Sequence, residues 1–156
     1  MKKNQCYASG DFKKYFTENM KQLGLPVPST LFDTYQTAIA TATTMAGTLA
    51  TLGKGATVAE LIGATIALEK LAIAASISAA AYTGAVIGSI AVASGRSIGC
   101  GSRISDLFVF MRQNNLEFKG ASEFYAKNPQ ILDSKNLSRV SYGARANVSA
   151  LSTGYA

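Results

Sequence analysis

The sequence has few residues of the kind that perform chemistry, and they are poorly placed for it. None of the 156 residues is histidine, which removes the commonest general base and the commonest metal ligand. The two cysteines, Cys6 and Cys100, are far apart and fit no metal-ligand spacing. They can form one disulfide if the fold joins them, or remain two thiols. Cys100 lies in "GRSIGCG", but a phosphate-binding loop needs a Lys-Ser/Thr pair after its glycines. As a nucleophile Cys100 has no histidine to activate it. The carboxylates Asp11, Asp33, Asp106, Glu117, Glu123 and Asp133 are scattered, with no spacing that pairs an acid with a base. No catalytic, cofactor or metal site is expected, and the chain does not read as an enzyme. Phe108, Phe110, Phe118, Phe124 and Tyr125 lie among basic residues, as in some nucleic-acid binders. Their helical spacing places most of them in a core instead, so no nucleic-acid partner is expected.

The spacing that does stand out belongs to small residues. Ala38, Ala42, Ala46 and Ala50 recur every four residues, then Gly55, Ala59, Gly63 and Ala67, then Ser76, Ala80, Gly84 and Gly88. Small side chains at i and i+4 make a flat groove where two helix backbones can approach closely, which is how helices associate in lipid. An alanine-rich helix yields such spacings by composition alone. Glycine is different: each one weakens a helix by about 1 kcal/mol relative to alanine. Its presence implies a neighbour that needs the room.

The elements that would carry these stripes are helical, since no alternating strand pattern persists. Asp11 can cap a first helix, "FKKYFTENMKQLG", with Phe12, Phe16, Met20 and Leu23 on one stripe and Gly24 and Pro26 ending it. After "LPVPST", Ser29 or Thr30 is expected to cap a second helix over about 31–52. "GKG" at 53–55 is a break. Thr57 and Glu60 form a capping box, and the third helix meets no proline before residue 94. That is long for a globular helix, so a bend or interruption is expected within it. "GRSIGCGS" reads as a loop, residues 102–113 as a fourth helix, and 122–127 and 129–133 as short helices. The serine- and glycine-rich tail "SRVSYGARANVSALSTGYA" reads as loosely held. The fold class is all-α: one domain, 1–156, a helical bundle around a central apolar, Gly/Ala-rich helical hairpin. Residues 1–30 form an amphipathic helix and linker, 31–95 the hairpin, and 96–156 a basic polar region.

Charge follows this layout. The net charge is +6, which favours anionic surfaces without saying anything about fold. The centre is nearly neutral: Thr34 to Gly53 and Leu71 to Gly95 contain no charged residue. At 1.5 Å per residue the second run is about 37 Å long, against about 30 Å of hydrocarbon. Leu71, Ile73, Ile77, Val86, Ile87, Ile90 and Val92 contribute roughly −2 to −4 kcal/mol to insertion, opposed by four serines, a threonine, a tyrosine and three glycines. The balance is near zero, which suits a chain that must first stay in water and insert later; it also describes a buried core helix. A hairpin of 34–53 and 71–95 is the simplest inserted form. Glu60 and Glu69, on opposite faces of one straight helix, could not both line a pore from it, though either could favour cations there.

The stretch "SGDFKKYFTENMKQLGLPVPS", the Gly/Ala-rich centre with Gly55–Gly63 and Gly84–Gly88, and the basic tail resemble the small antibacterial effectors of the bacterial type VI secretion system. The closest likeness is to those of glycine-zipper type that make ion-conducting pores. The resemblance is one of layout over about residues 10–100. It implies carriage by the secretion tube protein and a cognate immunity protein in the producing cell. It further implies insertion into the inner-membrane lipid of a target bacterium, homo-oligomerisation there, and depolarisation. "MKKNQCYASGDFKKYF" has the charged start of a signal peptide but no apolar stretch after it, so export without a signal peptide is expected. The alternative is an all-α interaction module, adaptor or structural, whose apolar hairpin is its own core.

Overall fold

A computed structural model describes residues 12–28, 30–53, 55–94, 104–118, 120–132 and 141–146. Cys6, Asp11, Ser29, Cys100, Asp133 and all of the loop expected at 95–102 lie outside them. The described residues are all-helical, as expected. Helix α1 spans Phe12–Gln22, α2 Tyr35–Leu52 and α3 Val58–Ala64. A 3-10 segment, Ile66–Ala74, leads to α4, Ala79–Ala93. Then come α5, Ile104–Gln113, α6, Ala121–Lys127, a 3-10 turn, Pro129–Ile131, and α7, Tyr142–Ala146.

α1 turns its Phe16, Met20 stripe inward and ends where the glycine predicts. Gly24 has φ +78. Its N–H reaches Lys21 O at 2.9 Å while Leu25 N–H reaches Met20 O at 3.0 Å. That is a Schellman motif, in which a left-handed glycine satisfies carbonyls the helix leaves open. The second helix begins later than expected. Residues 31–34 bend, Phe32 is buried, and Thr34, not Ser29 or Thr30, is the cap, in a box with Thr37.

The expected interruption of the third helix is a complete reversal. The Thr57–Glu60 capping box forms as anticipated, but α3 stops after seven residues. The chain then returns as the 3-10 segment packed on α3. An antiparallel bridge joins Thr57 and Ser78. Across it Val58 N–H donates to Ile77 O at 2.9 Å, Ala59 N–H to Ala75 O at 3.1 Å, and Ala79 N–H to Ala56 O at 2.9 Å. Two helix starts thereby supply one another's open donors, the accounting that every helix terminus must meet. The uncharged run 71–95 is therefore not one helix. Its α-helical part has fifteen residues, about 22 Å long.

α4 is the axis of the fold. Twelve of its fifteen residues are buried, and it packs against α1, α2, α3, α5, α6 and the 129–131 turn. A helix apolar on every side requires such complete enclosure in water. Aromatic rings close the two sides: Phe12, Phe16 and Phe32 stack in sequence, with Phe16 and Phe32 centroids 4.8 Å apart. Phe108, Phe118, Phe124 and Tyr125 cluster edge to face on the other side.

Candidate functional site: the apolar hairpin

α2 and α4 pack against each other, so the hairpin expected from the sequence exists as a core pair. Its halves differ in exposure. α2 buries Ala38, Thr41, Ala42, Met45, Ala46 and Leu49. Gln36, Thr37, Ala40, Thr43, Gly47, Ala50 and Thr51 face solvent. That outer face carries no charge over the helix's eighteen residues, although the solvent side of a surface helix ordinarily does. Most of its hydroxyls, Thr51 excepted, are bonded within the chain. Thr43 Oγ1 donates to Ile39 O at 2.8 Å, Thr44 Oγ1 to Ala40 O at 3.0 Å, and Thr48 Oγ1 to Thr44 O at 2.8 Å. Thr41 Oγ1 reaches Leu31 O at 3.1 Å, and Thr34 and Thr37 satisfy each other in the cap. α2 thus meets solvent with a neutral surface whose polar atoms are largely bonded to its own backbone.

α4 is held by polar contacts from around its circumference. Tyr82 Oη donates to Pro26 O at 2.7 Å, Tyr125 Oη to Gly84 O at 2.6 Å, and Tyr142 Oη to Ala81 O at 2.8 Å. Asn19 Nδ2 donates to Ser89 Oγ at 2.9 Å and to Ile131 O at 3.0 Å. A helix of alanines, glycines and β-branched residues offers little shape to index its register, and these bonds supply the index. Burial pushes the Tyr82 and Tyr125 phenols well above their ordinary range, and for Tyr125 the nearby Tyr142 adds to the effect. Thr83 Oγ1 is buried without a hydrogen-bond partner.

The small-residue stripes divide. Gly84 and Gly88 are buried within the fold. A Cβ on Gly84 would meet the ring of Phe124, and one on Gly88 would meet Cγ2 of Ile131. The room those glycines leave is occupied by side chains of the same chain. Ser76 precedes α4 and is exposed, and Ala80 is half-buried. Gly55, Ala59 and Gly63 are exposed, with nothing within 4 Å of a Cβ on either glycine. Ala67 falls in the 3-10 segment, so this second stripe does not run along one helix. Glu60 is engaged locally, accepting the Thr57 N–H at 2.8 Å. Glu69 is exposed in the first turn of the 3-10 segment. The two share no straight helix.

No helix among the described residues is long and apolar enough to cross a membrane. Among them, too, no three acidic or cysteine side chains are grouped to hold a metal ion. A cleft of about 270 Å³ lies between α1 and the proline linker, lined by Lys13, Thr17 and Lys21 against Leu25, Pro26, Val27 and Phe32. Asp33 neutralises its Lys13 at 3.3 Å. No protein-family model matches the sequence, and neither curated proteins nor solved structures return a similar protein.

Proposed function

We propose that this domain is the water-soluble form of an antibacterial toxin that permeabilises a target cell's inner membrane with its apolar hairpin. The observation that carries this reading is the outer face of α2. It is exposed and uncharged from end to end, and the hydroxyls of Thr37, Thr43, Thr44 and Thr48 are bonded within the chain, leaving Gln36 and Thr51 to water. A face intended only for water gains nothing from excluding every charge, whereas one destined for hydrocarbon must exclude charge and satisfy its own polar atoms. The eighteen residues of α2 measure about 27 Å, close to the hydrocarbon thickness, but the helix is not apolar enough to cross a membrane alone, so it would insert only with partners covering its threonine side. α4 is shorter and would span only if residues 71–78 rewound onto its start. In this reading the bundle is the carried form, brought by the secretion tube protein and neutralised by an immunity partner. The inserted form is a homo-oligomer that conducts ions.

A second reading has its own support. Gly84 and Gly88, the strict GxxxG pair, are filled by Phe124 and Ile131, as in an interaction module whose hairpin is simply its core. Dye or ion release from anionic vesicles separates the two. Thr43→Lys adds a charge at the middle of α2's exposed face, where the effect on folding stays within about 0.5 kcal/mol. At a bilayer centre the same lysine costs about 2.5–3.5 kcal/mol, roughly a hundredfold in inserted population. Release by the parent chain and its near loss in Thr43→Lys, with unchanged melting, support the toxin reading. A parent chain that never releases vesicle contents, or a lysine variant as active as the parent, overturns it.

A further inference from the structure

We propose that α7 is an intramolecular clasp that fastens the start of α4 to the end of α1, so that its displacement is the first step in uncovering α4. Three bonds join α7 to those two helix ends. Gly143 N–H donates to Leu23 O at 2.7 Å. Tyr142 Oη donates to Ala81 O at 2.8 Å. Ala146 O accepts from Ser78 N–H at 2.9 Å. Leu23 O and Ser78 N–H belong to the groups that a helix end and a helix start leave open, so α7 completes two termini that lie far apart in sequence. The approach is as close as backbone allows: a Cβ at Gly143 would meet the carbonyl of Gly24. That carbonyl belongs to the left-handed residue closing α1, which cannot yield without undoing the Schellman motif. Tyr142 and Ala146 are buried beside these bonds, and Tyr142 lies near enough to Tyr125 to raise its phenol pKa. The tyrosine pair therefore bonds to carbonyls three residues apart on α4, Ala81 and Gly84.

The clasp is also too short to be self-sufficient. Five residues are too few to hold helical structure without tertiary contact, so α7 exists only while docked. Local opening in proteins draws on such units, small and dependent on a few contacts, well before the core opens. Undocking α7 removes a hydrogen bond from the N-terminal end of α4 and another from its first turn. It leaves the α2, α5 and α6 contacts in place. The start of α4 is also where residues 71–78 would have to rewind for it to span, so the device rests on the proposed function for its consequence in membranes, but not for its existence.

Hydrogen exchange read by mass spectrometry on the full chain tests it, with vesicle release measured in parallel. Gly143→Val forces the clasp off. Tyr142→Phe removes one bond while keeping the buried ring, and so reports even if the valine variant folds poorly. The expected result is at least tenfold faster exchange at residues 78–83 and 23–25 in Gly143→Val, and a several-fold change in Tyr142→Phe, with residues 104–127 unchanged. Faster release from vesicles should accompany it. Faster local exchange without any release, in either variant or the parent, keeps the clasp and refutes the toxin reading. Exchange that is unchanged at 78–83, or that rises equally in every helix, overturns the clasp.

Discussion

Replacing Gly88 by alanine separates two accounts of why α4 contains glycine. If only local helix preference mattered, the change would stabilise the protein by about 1 kcal/mol. In the structure the new methyl would meet Cγ2 of Ile131, with Leu132 Cδ2 a further contact at 3.5 Å. Ile131 is completely buried, and its Cγ2 is bonded directly to Cβ, so it can move clear only by a change of χ1, which its packed surroundings resist, or by a shift of the 129–131 turn. Overpacking of this kind costs about 1–3 kcal/mol. Set against the helix gain, Gly88→Ala should destabilise by about 1 kcal/mol, within a range of roughly 0–2. For a chain of this size 1 kcal/mol is about 2–4 °C in melting temperature. Gly47→Ala is the internal control, since it lies within α2 with nothing within 4 Å of the added methyl. It should keep the full gain of about 1 kcal/mol. Ile131→Ala alone should cost about 2–5 kcal/mol through the cavity it leaves. It also removes the atom that the methyl added at position 88 would strike, so combining it with Gly88→Ala should stabilise, with a favourable coupling of about 1–3 kcal/mol. Urea unfolding of the four species at constant m-value measures each term. If Gly88→Ala stabilises as much as Gly47→Ala, or if the cycle is additive within about 0.5 kcal/mol, Ile131 is not what Gly88 makes room for.

Thr83→Val should raise stability by about 1 kcal/mol, because the hydroxyl is buried without a partner and such groups cost about 1–3 kcal/mol; a lower urea midpoint would mean that Thr83 Oγ1 is bonded after all. Alkaline pH should unfold the domain cooperatively. Tyr82 and Tyr125 hold their protons more tightly when folded than at the ordinary value of 10.0, so stability is full below about pH 10 and is lost as the pH climbs above it. Phenolate absorbance and far-UV circular dichroism should therefore change together for these two residues, and ionisation of all seven tyrosines with the native spectrum intact would contradict their burial.

Which features could be read in advance depended on how local their causes are. The end of α1 at Gly24 and Pro26, the break near residue 53 and the Thr57–Glu60 cap each depend on residues within one turn of each other, and all are present. The start of α2 departs from the Ser29 or Thr30 cap expected of the sequence for a local reason too: the box uses threonine at both of its positions, Thr34 and Thr37, where the usual pattern has Glu or Gln second. The reversal after α3 left no such trace. Residues 64–78 contain no glycine or proline, and what turns the chain is pairing between the start of α3 and the approach to α4, a cause spread over about twenty residues. Within the tail expected to be loosely held, the described residues 141–146 form a docked helix, while the rest of it lies outside the described residues. Serine and glycine around Tyr142 suggest a loose segment, yet the same glycine lets α7 lie against Gly24, and only the fold brings those two together.

The glycines of α4 show the limit most sharply. A helix cost implies a neighbour requiring space, which is so for Gly84 and Gly88, with Phe124 and Ile131 as the neighbours, but not for Gly47 or Gly63, where an added Cβ meets nothing. A GxxxG pair specifies a groove but not its occupant, because a ring from the same chain and a helix from another copy fill it with the same dispersion forces. In water the occupant is internal. For the toxin reading to hold as well, Phe124 and Ile131 must leave before a second α4 can arrive, so the groove is vacated and refilled rather than waiting empty. Enlarging Gly84 or Gly88 would then disturb the bundle before it disturbed any pore. The exposed, uncharged face of α2, which no described residue of the bundle covers, is for that reason the cleaner place to ask whether this protein ever enters a membrane.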